Sequence, residues 1–196
     1  ELGGRIVAIS CWDVEDKKAY TFKRAEGLDY EAMKGITDVY GSIDKVKAVE
    51  LGCEILPGNA WIEQDVDVLI PAAMENQITK DNVGKISSKV KILLEAANGP
   101  TSPEADRIIR ESGIFLIPDF LANAGGVTCS YFEQVQCNMN YYWEKSEVLD
   151  KLETAMTSAF QAVYDMAGDK NLYMRDAAYV IAISRVARAV KARGWV

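Results

Sequence analysis

The sequence predicts an α/β protein: a doubly wound, mainly parallel sheet followed by C-terminal helices. Three observations carry this. Short apolar, β-branched runs recur between helices of about ten residues, the signature of βαβ units. The strands cease after Gly126, and three long amphipathic runs follow. With 196 residues, 49% of them hydrophobic, the chain can bury a real core.

The elements follow in order. Residues 5–10 (RIVAIS) suit a buried strand. Leu2-Gly3-Gly4 before it reads as a helix end with a glycine C-cap. Cys11 to Gly27 is polar, with Ala19 to Phe22 as a possible hairpin edge. Asp29 caps a helix to about Tyr40, and Ser42 opens another that ends at Gly52. Cys53 to Leu56 is a short strand stopped by Pro57-Gly58. Val66 to Ile70 is a strand ending at Pro71, Thr79 opens a helix to about Ile86, and Val90 to Glu95 is the next strand. Ser102-Pro103-Glu104 starts a helix with Pro at its first position, and Thr101 with Glu104 also fits a capping box. That helix stops at Gly113, and the strand 114–117 stops at Pro118. Helices are then expected over 127–144, 147–167 and 174–193, the last closed by Gly194.

Composition excludes several chemistries. There is no histidine, so no Ser-His-Asp or Cys-His mechanism and no HExxH zinc site can operate. Net charge is −7 with no long Lys/Arg block, which argues against nucleic-acid binding and docking to anionic lipid. Cys11, Cys53, Cys129 and Cys137 form no CxxC pair and read as reduced thiols of a cytoplasmic protein. No apolar run approaches the roughly 20 residues of a membrane span.

In an open parallel sheet, ligands bind beyond the carboxyl ends of the strands. Those ends carry Ser10 and Asp13; Pro71-Ala72-Ala73; Ala96-Ala97-Asn98-Gly99; and Pro118-Asp119 followed by residues 121–126 (LANAGG). Such residues dominate plain turns as well. Small residues also let a ligand approach the backbone, and an Asn carboxamide matches a carboxamide on a ligand. Gly125-Gly126 stands where a helix must start, so its N–H groups could face an anion. On position alone Ser130, one turn in, is a solvent-facing helix serine; its hydroxyl could also donate to a ligand carboxylate. Neither GxGxxG nor GxxxxGK[ST] occurs.

These residues carry a resemblance. LANAGGVTCSYFEQVQ (121–136), LLEAANGPTSPEAD (93–106), VDVLIPAAMENQIT (66–79) and MRDAAYVIAISRVA (174–187) resemble the glutamate dehydrogenases of the Glu/Leu/Phe/Val dehydrogenase family. The resemblance implies an incomplete Rossmann-like region over 1–126 and a helical region over 127–196 that packs on it and lines the cleft. It implies NAD or NADP as cofactor, with Asn98 and Asn123 on the nicotinamide side and Pro71, Ala72 and Ala73 on the adenosine side. Val127 and Ser130 would reach the substrate cleft. The acid that meets the ribose would be Asp13, displaced by an insertion after Ser10-Cys11, which leaves NAD against NADP open. The implied reaction is reversible oxidative deamination of glutamate to 2-oxoglutarate and ammonia by hydride transfer.

In the family, the catalytic Lys and Asp and the first Rossmann strand with its Gly-rich turn precede the part resembled here. The expectation is therefore a C-terminal half. It would be inactive alone, and either poorly stable or dependent on a strand borrowed from another chain, its small-molecule substrate site completed by an N-terminal half, with homo-oligomer formation possible. The alternative is a non-catalytic regulatory or assembly subunit that pairs with a full-length dehydrogenase.

Overall fold

The computed structural model describes residues 3–195. It divides into two compact units: Glu1–Val66 with Lys85–Lys89, and Asp67–Gly84 with Val90–Val196. The division falls at Val66, away from the 126/127 boundary read from the sequence.

The first unit contains β1 (Ala8–Asp13), β2 (Lys18–Lys23), α1 (Tyr30–Gly35), α2 (Lys45–Glu50) and β3 (Glu54–Pro57). The strands form a separate antiparallel sheet in the order β1-β2-β3, so these strands do not join the mainly parallel sheet that the sequence suggested. The reason is the polar stretch after Cys11. Asp13 accepts the Asp16 N–H at 2.8 Å, which closes a tight turn and folds β2 back on β1. The expected hairpin edge is thus the central strand, with Thr21 and Phe22 buried. β1 starts later than expected, with Ile9 and Trp12 exposed on its opposite faces. Of the expected helix end, Leu2 lies outside the described residues; Gly3 has a φ of +77°.

Both helices of this unit are shorter than the sequence suggested, because Asp side chains compete for the backbone. Asp29 caps α1 by accepting the Ala32 N–H at 2.7 Å. Asp38 accepts the N–H groups of Tyr40 and Ser42 at 2.8 and 2.9 Å, which ends any continuation. Asp44, not Ser42, caps α2; the Ser42 hydroxyl instead accepts the Val14 N–H at 3.2 Å. The core here is Phe22, Ile43, Ala48 and Cys53.

The second unit contains β4 (Val68–Leu69), β5 (Ile92–Leu94), α3 (Pro103–Ser112), β6 (Phe115–Ile117), α4 (Asp119–Ala122), α5 (Gly125–Met139), α6 (Lys145–Lys170) and α7 (Met174–Ala192). Here the expected parallel sheet is present, in the order β4-β5-β6. Leu93 and Leu116 are buried at its centre. The helix expected from Thr79 is only a turn, with a 3-10 segment over Val83–Lys85. Its cause is Asn82, whose side chain accepts the Thr79 N–H and donates to the Gln77 carbonyl, both at 2.8 Å.

α3 is built as its sequence suggested. Ser102 accepts the Ala105 N–H, Pro103 occupies the first turn, and Gly113 ends the helix at a φ of +80°. Ser102 takes the cap alone; the buried Thr101 Oγ1 finds no partner among the described residues, so the Thr101–Glu104 box does not form. Asn140 ends α5 in the left-handed region, short of the expected Glu144. Leu121, Val163, Met174, Ala177 and Ala178 form one core with Phe115 and Ile117, which fixes α6 and α7 against the β6 exit. That shared core is why the helical region belongs with the parallel sheet. Among the described residues, no helix is long and apolar enough to cross a membrane.

Candidate functional site

The carboxyl ends of β4, β5 and β6 open side by side. Pro71, two residues beyond β4, accepts the Ala96 and Ala97 N–H groups at 3.1 and 3.0 Å, which locks the β4 exit to the β5 exit. Ala72 and Ala73 follow, exposed and small. Asn98 sits on the loop after β5, and Asn123 caps the C-terminus of α4 after β6.

The structure brings the two asparagines together. Asn123 Nδ2 donates to Asn98 Oδ1 at 2.7 Å and to the Ala97 carbonyl at 3.4 Å. Asn98 Nδ2 and Asn123 Oδ1 have no partner among the described residues. One donor and one acceptor therefore stand open on adjacent carboxamides, the complement of a primary carboxamide.

α5 begins at Gly125, on the Gly125-Gly126 pair expected at the helix start and two residues before the expected range of 127–144. A Cβ at Gly126 would meet nothing within 4 Å, so the helix start is open. Val127 is 71% exposed. Ser130 is exposed, and its hydroxyl donates to the Gly126 carbonyl at 3.2 Å.

Beneath these loops lies an ion cluster. Glu95, directly after β5, is fully buried. Its Oε2 accepts the Asp119 N–H at 3.0 Å and its Oε1 the Arg175 Nη2 at 2.8 Å. Asp119 Oδ2 accepts the Gly99 N–H at 2.9 Å, and its Oδ1 faces Arg175 Nη1 at 3.3 Å. Asp106, in α3, accepts from Arg175 Nε and Nη2 and from the Tyr173 hydroxyl. One guanidinium in the first turn of α7 thus faces three carboxylates from three elements. Burial and the neighbouring Asp106 push the Tyr173 phenol well above its usual range. Burial works against the charge on Arg175, and the bond to Glu95 with its negative charge more than offsets it, so the guanidinium is firmly cationic.

Asp13, the remaining expected residue, lies in the other unit. It is 6% exposed, and its carboxylate accepts the Asp16 N–H and pairs with Lys45 Nζ at 2.6 Å. Lys45 also pairs with Asp16 at 2.7 Å, and the Tyr20 hydroxyl donates to Asp16. The Asp16 N–H and then Lys45 hold the Asp13 carboxyl below its usual range. Among the described residues, no cluster of acids and cysteines could hold a metal.

Residues 1–194 match the profile of the Glutamate/Leucine/Phenylalanine/Valine dehydrogenase family. The chain belongs to this family. It is 44% identical over its full length to an NAD-specific glutamate dehydrogenase of Staphylococcus aureus, and covers 44% of that protein. With an NAD-specific glutamate dehydrogenase of Clostridioides difficile it shares 43% identity over 195 residues, 45% of that protein's length. Among solved structures, a glutamate dehydrogenase from Peptoniphilus asaccharolyticus superposes with a TM-score of 0.78 at 34% identity, over 99% of this chain and 42% of that one. The chain therefore spans less than half the length of the dehydrogenases it matches.

The Arg175 cluster of this dehydrogenase-family chain escaped the sequence reading. One signal could have pointed to it: Glu95 and Asp119 each follow a continuous apolar strand almost at once, where a carboxylate is buried and needs a cation.

Proposed function

We propose that these 196 residues form most of the cofactor-binding part of an NAD-dependent glutamate dehydrogenase. The observation that carries this is the Asn98–Asn123 pair, with its open donor and acceptor at the ends of two parallel strands. Those two atoms fit the carboxamide of a nicotinamide ring, whose dinucleotide accepts a hydride when bound. Asn98 and Asn123 would fix which way that ring faces. Ala72 and Ala73, small and exposed beside Pro71, would leave room for the adenosine side.

Val127 and Ser130 lie on α5 and would face the substrate, with Ser130 Oγ turning from its own helix carbonyl to a substrate carboxylate. In this reading residues 127–196 line the cleft, the protein works in the cytoplasm, and proton transfer falls to residues of an N-terminal substrate domain. The strong likeness to NAD-specific relatives favours NAD over NADP.

The test is glutamate-dependent reduction of NAD, followed at 340 nm, in the dehydrogenase that contains these residues. Asn123→Ala removes the acceptor and frees Asn98, and is expected to raise the KM for NAD about tenfold, the size of one lost ligand hydrogen bond. No glutamate-dependent reduction, or an unchanged KM for NAD in Asn123→Ala, sinks the reading. The 196 residues alone are expected to reduce no NAD; measurable turnover would remove the assignment of proton transfer to another domain.

A further inference from the structure

We infer that Arg175 is a positioning residue: from α7 it sets the Asn98–Asn123 carboxamide pair through Glu95 and Asp119. The inference rests on the proposed cofactor site and adds what holds that site in shape.

The connections are direct. Asn98 is reached through its neighbour: the Gly99 N–H is held by Asp119 Oδ2 at 2.9 Å, and Asp119 Oδ1 faces Arg175. Asn123 is reached through α4: the Asp119 N–H at its start is held by Glu95 Oε2, and Glu95 Oε1 is held by Arg175 at 2.8 Å. Arg175 therefore grips the first residue beyond β5 and the start of α4, the two anchor points between which Asn98 and Asn123 meet. The third contact, to Asp106, ties the same guanidinium to α3.

The residue type matters. Glu95 is fully buried, and a buried carboxylate without a cation is costly, so some positive charge is required there. Only a guanidinium also spans three acceptors in fixed directions. A lysine ammonium is a compact charge that can satisfy Glu95 but not hold Asp119 and Asp106 at the same time. Charge and geometry are thus separable by mutation. Asp119→Asn isolates the arm toward Gly99 without emptying the counter-charge of Glu95.

The experiment uses the dehydrogenase that contains these residues, with Arg175→Lys, Asp119→Asn and a control. Ile43→Val truncates a core residue of the first unit, whose cluster shares no residue with the one around Leu121 and Met174, and lowers stability by packing alone. Two readouts are taken: the KM values for NAD and glutamate, and deuterium uptake of the segments 95–100 and 119–124 by mass spectrometry. Both cluster variants are expected to raise the KM for NAD about tenfold and leave the KM for glutamate within about twofold; Arg175→Lys is expected to speed uptake in both segments, and Asp119→Asn in 95–100 alone. Ile43→Val is expected to lower the melting temperature without moving either readout. Uptake unchanged in both cluster variants, or changed equally in Ile43→Val, overturns the positioning role. If the wild-type enzyme makes no use of NAD, the proposed function fails on its own, while the uptake data still decide what Arg175 holds.

Discussion

Gly58 is the tightest point of the first unit, and Gly58→Ala is the sharpest test of how that unit is built. A Cβ placed there would lie 2.3 Å from Ala19 Cβ and 2.6 Å from the Ala19 carbonyl carbon and oxygen. Carbon atoms rest at about 3.5–4.0 Å, so the segment after β3 must retreat from β2 by more than about 1 Å. The obstacle is backbone of the central strand and cannot swing aside. The same retreat strains two bonds to the Gly58 carbonyl, from Ser10 Oγ at 3.0 Å and Thr21 Oγ1 at 3.2 Å. Overpacking costs roughly 1–3 kcal/mol and each weakened bond about 1 kcal/mol, so the expected loss is about 3–5 kcal/mol. Thermal unfolding is the assay, and a chain of this size loses about 2–4 °C per kcal/mol, so the transition reporting this unit should fall by about 10 °C. Gly84→Ala, whose Cβ would meet nothing within 4 Å, is the control and should stay within about 2 °C of wild type. A Gly58→Ala protein that melts with the control refutes the close approach of these two segments.

Two further outcomes follow from local features. Ser102→Ala removes the cap that accepts the Ala105 N–H and should cost about 1 kcal/mol in a urea titration, whereas Ser102→Gly should cost only a few tenths. No loss in Ser102→Ala would mean that the cap bond contributes nothing. Asp13 and Asp16 have folded pKa values held below the ordinary 3.8, so their contribution is present above that pH and is lost as pH falls through the folded values. Urea midpoints at pH 7, 5 and 3 should therefore fall steeply between 5 and 3 in wild type. Asp13→Asn should start lower and show a shallower fall; parallel curves would remove Asp13 from the acid response.

What the sequence made legible was whatever a single segment decides. The three parallel strands, the capped helix α3 with Pro103 and Gly113, and the start of α5 at Gly125 all follow from local pattern and turn chemistry. What it hid depends on partners far along the chain or on side chains that compete with the backbone. β1 and β2 pair antiparallel because Asp13 closes a turn, a contact invisible to apolar periodicity. Asn82 unmakes an expected helix with its own side chain, and Asp38 shortens another. At the candidate site, the residue types after each strand were readable, but their meeting was not. The Asn98–Asn123 bond joins residues 25 apart, and the Arg175–Glu95 bond residues 80 apart.

That last separation has a meaning in time as well as in space. A ribosome adds about 5–20 residues per second, so Glu95 is made roughly 4–16 s before the arginine that neutralises it. During that interval β5 and β6 can already pair, while the Glu95 carboxylate must stay hydrated and the strand-end loops stay open. The grip of Arg175 on the strand-end loops has to wait until α7 is made.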